Sequence, residues 1–242
     1  MARHAIPFWV LLPLLPLGTV SVAQDSANRN PKPDDLPLVK KVHEARHEYQ
    51  ASLEALREHY HRQNDIERMR WVEDELLSYH RISKRPYRLE LDVPPPNLQP
   101  VQNQPEANEL FRRAMYYKGR GWLSEHEDNL RRAEILFQQL LSQYPQSDKI
   151  ADTAYQLGEI YESRAFKQPQ RAVAYYERCF QWNPHTSTDA RLRAARIFDK
   201  VLHDRTKAVS LYREVLNRDT DPKRVEEARR RLTELSSVPR PE

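Results

Sequence analysis

The sequence predicts an all-α protein whose main part is a solenoid of stacked helical hairpins. Of its 242 residues, 31% are charged and only 4 are glycine, which is typical of long, solvated helices. A segment that begins with alanine and has an aromatic residue four positions later occurs three times along the chain. The interval is 39 residues from Ala133 to Ala172 and 36 from Ala172 to Ala208, a period that indicates repeated helical hairpins.

The first 23 residues have the features of a secretory signal peptide. A short basic start, Arg3 and His4, precedes the apolar run AIPFWVLLPLLPLG. Ser21 and Ala23 then supply the small residues expected before a cleavage site. The run is too short and too often interrupted by proline for a membrane-spanning helix, and no later segment is apolar enough. We therefore expect an exported protein, periplasmic or secreted, that is soluble after cleavage, with residues 24–37 as a flexible segment.

Residues 38–84 have the pattern of two amphipathic helices. They are separated by a short polar break, where Asn64 or Asp65 is suited to capping the start of the second helix. Two such helices joined by so short a break predict an antiparallel N-terminal hairpin. The apolar stripes consist of Val42, Ala45, Tyr49, Leu53, Leu56 and Tyr60 on the first helix, and of Ile66, Met69, Val72, Leu76 and Leu77 on the second.

A coiled coil is the alternative for this N-terminal region. Val42, Tyr49 and Leu56 keep the seven-residue spacing of a coiled-coil seam. The two helices would then continue into one longer coiled coil. A homo-oligomer formed through residues 38–84 is a separate alternative. The polar break favours the hairpin, because it interrupts the apolar stripe.

His43, Glu44 and His47 match the H-E-x-x-H string of zinc peptidases. In those enzymes two histidines one helical turn apart hold the metal and the glutamate activates water. At about 100° per residue, both histidines lie about 100–140° from the apolar stripe, so we expect them to face solvent or the helix flank. Val42 and Ala45 are expected to anchor the helix to its neighbour. We predict a solvated helix face without metal, and a zinc-dependent hydrolase built on residues 43–47 is the alternative.

Residues 85–105 are predicted to be an extended, proline-rich linker. Within it, YRLELDV (87–93) alternates apolar and charged residues, as a strand does. Because the chain offers no partner strand, we expect this segment to pack in extended form, and pairing with another molecule is the alternative. PPPNLQPVQNQP (94–105) is semi-rigid and has no core of its own.

The predicted domain at 106–236 contains three copies of a two-helix pattern. The second helices are AEILFQQLLSQYP from Ala133, AVAYYERCFQWNP from Ala172 and AVSLYREVLNRDT from Ala208. The first helices are NELFRRAMYYK (108–118), DTAYQLGEIYE (152–162) and DARLRAARIFD (189–199). Ala114, Gly158 and Ala195 are expected to let the helices of each hairpin approach closely. The aromatic residues Tyr117, Tyr161 and Phe198 are expected to fill the space between hairpins.

This pattern resembles the tetratricopeptide repeat (TPR) family. The residues that match the family pattern are Leu157, Gly158, Tyr161, Ala172, Tyr176 and Pro184 in the second copy and Ala133, Phe137 and Pro145 in the first. The third copy has Thr220 in place of the closing proline, and the loop at 119–129 is longer than is usual. We expect about three repeats, and residues 237–242 as a tail. A one-sided helix at about 223–236 is expected to cap the solenoid through Val225, Ala228, Leu232 and Leu235.

The resemblance implies that the first helices line a groove for an extended peptide or a partner helix. The groove-facing residues by the family pattern are Phe111, Met115 and Lys118 in the first repeat, Asp152, Tyr155, Glu159 and Glu162 in the second, and Asp189, Leu192, Arg196 and Asp199 in the third. The apolar first repeat grades into an acidic second repeat. Such a groove is suited to a partner segment with apolar and basic residues.

The sequence indicates no other chemistry. Cys179, the only cysteine, occupies an apolar position of a second helix, where burial is the expected role. No glycine-rich phosphate loop, Ser–His–Asp arrangement or Cys/His cluster occurs, so we predict no enzyme, no catalytic, cofactor-binding or metal-binding residue, and no cofactor. A net charge of +4 with both signs mixed does not indicate a nucleic-acid partner.

The overall layout is similar to two bacterial families. Signal peptide, N-terminal helices, Pro/Gln linker and TPRs resemble the periplasmic Tol–Pal-associated cell-division coordinator of Gram-negative bacteria. The repeats are also similar to those of the TPR lipoprotein of the outer-membrane β-barrel assembly machine, although this chain lacks the lipoprotein cysteine. We therefore predict a non-enzymatic periplasmic scaffold for protein–protein interaction in cell-envelope assembly or maintenance, with the hydrolase and an oligomerising structural subunit as alternatives.

Overall fold

A computed structural model describes residues 35–82 and 84–237 of the chain. The regular structure of these residues is helical, apart from one isolated parallel bridge between Gln102 and Ser147. The predicted signal peptide at 1–23 lies outside the described residues, as do most of the flexible segment at 24–37 and all but the first residue of the tail at 237–242.

Two helices, α1 (Leu36–Arg62) and α2 (Ile66–Arg81), form the predicted N-terminal hairpin. The Asp65 carboxylate caps α2 by accepting a hydrogen bond of 3.1 Å from the backbone N–H of Arg68. Between the helices, the side chains of Leu53, Val72 and Leu76 form a small buried cluster. The polar break therefore reverses the chain, as the sequence predicts.

The predicted apolar stripe of α1 is only partly used in this hairpin. Val42 is 40% exposed and Ala45 is also exposed, so the prediction that they anchor α1 to α2 is wrong. These residues are exposed because α1, with 27 residues, is longer than α2, with 16. Near the end of α2 the Tyr79 hydroxyl donates to the Arg46 carbonyl at 3.1 Å, so the first turns of α1 extend beyond α2.

Three helical hairpins and a final helix follow. They are α4 (Pro105–Lys118) with α5 (Leu123–Gln143), α6 (Ile150–Glu162) with α7 (Pro169–Trp182), α8 (Ala190–Lys200) with α9 (Arg205–Arg218), and α10 (Pro222–Ser237). One continuous hydrophobic core runs through all three hairpins into α10, whose Ala228 is fully buried. The solenoid with its capping helix is therefore present as predicted.

Small residues set the spacing within the hairpins. Ala114 and Ala195 have no exposed surface, and a Cβ atom at Gly158 would lie 2.5 Å from Cδ1 of Tyr176. Only glycine fits there, because real Cβ contacts are not so short. Cys179 is also buried in α7, as expected.

The segment at 87–93 is not a strand. It contains one turn of helix, α3 (Leu89–Asp92), and Val93 after it is 5% exposed and belongs to the solenoid core. Without a partner strand, an extended chain would leave its backbone hydrogen-bonding groups unpaired, and a helical turn pairs some of them internally. The linker is therefore packed against the solenoid and contributes to its core.

Residues 84–95, which we call the strap, are held by one face of α7. Four side chains spaced four, three and four residues apart donate hydrogen bonds to strap carbonyl groups, so they lie on one side of the helix. The pairs are Arg171 to Lys84 at 3.3 Å, Tyr175 to Asp92 at 3.0 Å, Arg178 to Pro94 at 2.6 Å and Trp182 to Pro95 at 3.1 Å. The strap thus covers a second helix of the solenoid.

Within the described ranges, none of the helices combines the length and the apolar character that a membrane span requires.

Candidate protein-binding groove

The first helices of the three hairpins, α4, α6 and α8, share one face with α10, which we call the first-helix face. A cleft of about 370 Å³ lies at the edge of this face, where the ends of α4 and α6 meet α8 and the first turns of α5. Its lining consists of Lys118, His126, Leu130, Glu159, Ile160, Glu162, Ser163 and Arg193. This cleft is therefore lined by three of the predicted groove residues, Lys118, Glu159 and Glu162.

Glu159 is the centre of an ion-pair ladder that crosses all three repeats. Its carboxylate lies 2.5 Å from Lys118 Nζ of α4 and 3.0 Å from Arg193 of α8. Arg193 also pairs with Glu162 at 3.0 Å and with Asp189 at 2.9 Å. Because these groups are only partly exposed, their attraction is screened less than that of surface pairs. The ladder fixes the spacing of the first helices.

Two tyrosine hydroxyl groups donate hydrogen bonds to carboxylates of the ladder. Tyr155 donates a hydrogen bond to Asp189 at 2.7 Å, and Tyr176 donates one to Glu162 at 2.6 Å. Burial, and then these hydrogen bonds, raise the pKa of both phenols, so both stay protonated and act as donors. The Arg193 guanidinium lies 5.7 Å from the ring centre of Tyr155. The carboxylates are thus fixed in orientation by neighbours on two sides.

At the far end of the face, α10 is joined to the third repeat. Arg196 of α8 pairs with Glu227 at 2.5 Å, and Asp199 pairs with Arg231 at 2.6 Å. The hydrogen bonds from Arg196 lower the pKa of Glu227, which keeps that carboxylate charged. Two further predicted groove residues, Arg196 and Asp199, therefore hold the capping helix in place.

At its other end the first-helix face is apolar. Phe111 is half-buried against Phe137, with 5.6 Å between ring centres, and Met115 is 38% exposed. Asp152 of the second repeat is half-buried, and burial raises its pKa. Met115 is thus the most accessible apolar side chain among the residues predicted for the groove.

Leu192 is not on the accessible face. It is 1% exposed and lies in the solenoid core, so the prediction that it lines the groove is wrong. The next residue, Arg193, takes the accessible position, since it lies one helical turn after Asp189 and just before Arg196 on the same side of α8. That spacing was visible in the sequence, but the family pattern alone did not select Arg193.

The second repeat does not present a free acidic patch. Glu159 and Glu162 pair with Arg193 of the third repeat, and Glu159 also pairs with Lys118 of the first. Asp189, at the start of α8, pairs with Arg193 one turn later on its own helix. The net charge of the face is therefore more balanced than the acidic residues alone suggested. A partner must therefore match alternating charges rather than a single sign.

The H-E-x-x-H residues are divided between two environments. Glu44 and His47 are exposed as predicted, but the His43 side chain is only 15% exposed, with Nδ1 3.6 Å from Asp92. His43 lies on the flank of α1, one of the two positions expected, and Asp92 of the strap covers it there. Across residues 35–82 and 84–237, no group of three or more His, Cys, Asp or Glu side chains is placed to hold a metal ion.

Comparison with protein families finds that residues 110–147 match the tetratricopeptide repeat family. The match includes most of α4 and the whole of α5, which form the first helical hairpin. Neither the curated proteins nor the solved structures yielded a match. Together with the helical hairpins that follow, the family match confirms the predicted all-α, TPR-type solenoid.

Proposed function

We propose that the protein is a non-enzymatic scaffold that binds a segment of a partner protein along the first-helix face. The observation that carries this proposal is that Lys118, one helical turn after the accessible Met115, joins the ion-pair ladder of Glu159. The strap is held by α7, a second helix of the solenoid. TPR solenoids are suited to this task, since stacked hairpins form an extended binding surface.

The partner segment is expected to combine an apolar anchor with charges of both signs. The anchor would pack on Met115 and Phe111, and the charges would match the ladder. Because the charged groups of the ladder are already held in fixed orientations, their hydrogen bonds to a partner would cost little conformational entropy. This chemistry fits an extended peptide or an amphipathic helix, and does not fit a purely basic tail.

A photo-crosslinking experiment in cells tests this function. A photoreactive amino acid at Met115 should capture one dominant protein partner. The matched control replaces Arg213, an exposed residue of the second helix α9, and should not capture the same protein. Equal capture of the same protein from both positions, or no protein captured at Met115, would contradict the proposal.

We further propose that the scaffold works in the periplasm of a Gram-negative-type cell, in assembly or maintenance of the envelope. The signal-peptide pattern at residues 1–23 and the similarity in layout to the Tol–Pal-associated coordinator support this location. Cell fractionation followed by amino-terminal sequencing tests it. The exported protein should begin at Gln24, and a cytoplasmic protein that keeps residues 1–23 would contradict the location.

A second role, self-association through α1, is favoured by one observation. Val42, Tyr49 and Leu56, seven residues apart, are 39–42% exposed, so the stripe of a coiled-coil seam stays partly accessible, although Tyr49 also contacts Tyr79 of α2. Light scattering on the purified protein would test this role. A dimer or higher oligomer should become a monomer in the Val42→Lys, Leu56→Lys double variant, and a wild-type monomer at all concentrations would exclude it.

A further inference from the structure

A second cavity, of about 400 Å³, lies away from the first-helix face. It is enclosed by α1, the end of α2, the strap, α5 and α7. Its size falls within the range of about 300–1,000 Å³ that is typical of sites for small ligands. Apolar walls come from Tyr79, Val93, Leu141 and Tyr175. The cavity therefore has the size and the partly apolar lining of a binding site, and we call it the strap cavity.

Three residues that line the strap cavity have buried polar atoms without partners. Arg171 and Asp92, both 7% exposed, form an ion pair of 2.8 Å that uses only one atom of each, Nη2 and Oδ1. Arg171 Nε and Asp92 Oδ2 are buried and have no hydrogen-bond partner among the described residues, and the same holds for His43 Nε2. Unpaired buried polar atoms cost stability, so they indicate that a ligand supplies the missing partners. That ligand needs an acceptor for Arg171 and a donor for Asp92.

The lining of the cavity contains three carboxylates and three permanent cations, so its formal charges balance, but each carboxylate is bonded to a residue other than Lys84 and Arg46. Glu90 pairs with Arg88 at 3.0 Å, Asp92 pairs with Arg171, and Glu134 accepts a hydrogen bond of 2.6 Å from the Tyr161 hydroxyl. All three carboxylates that line the cavity are thus already engaged. Two cations of the lining take part in none of these contacts.

Lys84 and Arg46 are the cations that remain. Lys84 Nζ donates to the Tyr79 carbonyl at 3.0 Å and lies 4.1 Å from the centre of the Tyr79 ring. Arg46 lies 5.5 Å from the centre of the Tyr87 ring. Neither cation has a carboxylate within ion-pair distance among the residues described. Burial lowers the pKa of Lys84 to about 8, although the nearby charge of Glu134 acts in the opposite direction.

We propose that the strap cavity binds a small carboxylate that carries a neighbouring N–H or O–H donor. The carboxylate would lie against Lys84 and Arg46 and offer an acceptor to Arg171, while the neighbouring donor would satisfy Asp92. The carboxy-terminal residue of a peptide has this chemistry, and so does a free hydroxy acid. The site is separate from the groove, so its occupation does not depend on the proposed scaffold function.

Isothermal titration of the purified protein tests the proposal with three probes. They are N-acetyl-Ala-Ala with a free carboxylate, the same peptide as its carboxy-terminal amide, and tartrate. At least one of the two acids should bind at millimolar concentration and the amide should not. Binding of the peptide acid alone identifies a peptide terminus, binding of tartrate alone identifies a hydroxy acid, and binding of both supports the shared chemistry.

Two variants connect the binding to this cavity. Lys84→Met should weaken binding of the acid about tenfold or more, because a hydrogen bond to a charged group is lost. Arg46→Gln should weaken it in the same direction, which covers the case in which Lys84→Met does not fold. Lys200→Met, at an exposed position, should leave the affinity unchanged. The proposal is overturned if neither acid binds, if the amide binds equally well, or if the cavity variants bind like the wild type.

Discussion

Gly158 of α6 lies so close to the ring of Tyr176 of α7 that a Cβ atom would be 2.5 Å from two ring carbons. Gly158→Ala should therefore destabilise the fold by about 1–3 kcal/mol, the usual cost of overpacking a tight core. This loss of stability exceeds the gain of up to about 1 kcal/mol that alanine brings over glycine in a helix interior. Thermal unfolding monitored by circular dichroism measures the difference.

Gly119 offers the matched control for this substitution. A Cβ atom there would meet its nearest neighbour at 3.6 Å, an ordinary contact, and its φ of −84° suits alanine. Gly119→Ala should change the unfolding free energy by less than about 1 kcal/mol, with stabilisation as the expected sign. If both variants unfolded at the same temperature, the close approach at Gly158 would not be the reason for the glycine.

Arg193→Met tests the ion-pair ladder. The substitution leaves Glu159, Glu162 and Asp189 without their shared cation, so the protein should lose about 1–3 kcal/mol of stability. Arg229→Met removes an exposed arginine that, among the described residues, forms an ion pair with Glu226 of its own helix at 3.2 Å, and should cost less than about 1 kcal/mol. Urea unfolding of both variants provides the comparison. An equal loss in both would mean that the ladder adds nothing to the fold.

His80 should make the stability depend on pH. Burial, and then the charges of Lys84 and Arg131, lower its pKa to about 3 in the folded protein, against 6.5 for an ordinary histidine. The unfolded chain therefore takes up a proton below pH 6.5 that the folded chain does not bind. The free energy of unfolding therefore has its full value above pH 6.5. It decreases as the pH falls towards 3, by about 1–2 kcal/mol at pH 5.

Urea unfolding at pH 7 and pH 5 measures this effect. His80→Asn should lose less stability between the two pH values than the wild type, by about 1–2 kcal/mol. His185→Asn, at an exposed position, should behave as the wild type does. The prediction fails if His80→Asn keeps the full pH dependence of the wild-type protein.

The strap should loosen when its side-chain donors on α7 are removed. Tyr175→Phe combined with Arg178→Met deletes two of the hydrogen bonds to strap carbonyl groups, those to Asp92 and Pro94. We expect amide hydrogen exchange in residues 84–95 to become at least about tenfold faster, since each bond contributes roughly 1 kcal/mol. Arg213→Met, at an exposed site on α9, should not change it. Unchanged exchange in the double variant would mean that apolar packing alone holds the strap.

The repeated hairpins could be predicted from sequence because their signal is local. Alanine or glycine at Ala114, Gly158 and Ala195, with an aromatic residue one turn later, recurs in each first helix and fixes how its hairpin packs. The cap of α2 at Asp65 is local in the same way. Helical period and capping chemistry depend on residues three or four positions apart, so a single sequence displays them.

The strap and the ion-pair ladder could not be predicted, because their partners are distant in the chain. Alternation at 87–93 predicted a strand, yet the chain there is positioned by side chains of α7 and forms a helical turn. Likewise, Glu159 was recognised as a groove residue, but its pairing with Lys118 and Arg193 depends on how three repeats stack. The partial burial of His43 could not be predicted for the same reason, since the strap that covers it had no predicted position.

The most direct test of the central claim is the affinity of the captured partner for a groove variant. Met115→Glu places a charge on the apolar end of the first-helix face and should weaken binding at least about tenfold in a titration with the purified partner segment. Trp71→Glu, which changes an exposed apolar residue of the N-terminal hairpin, should leave the affinity unchanged. Binding that is lost in Trp71→Glu and kept in Met115→Glu would contradict the claim, because the partner would then occupy the hairpin and not the groove.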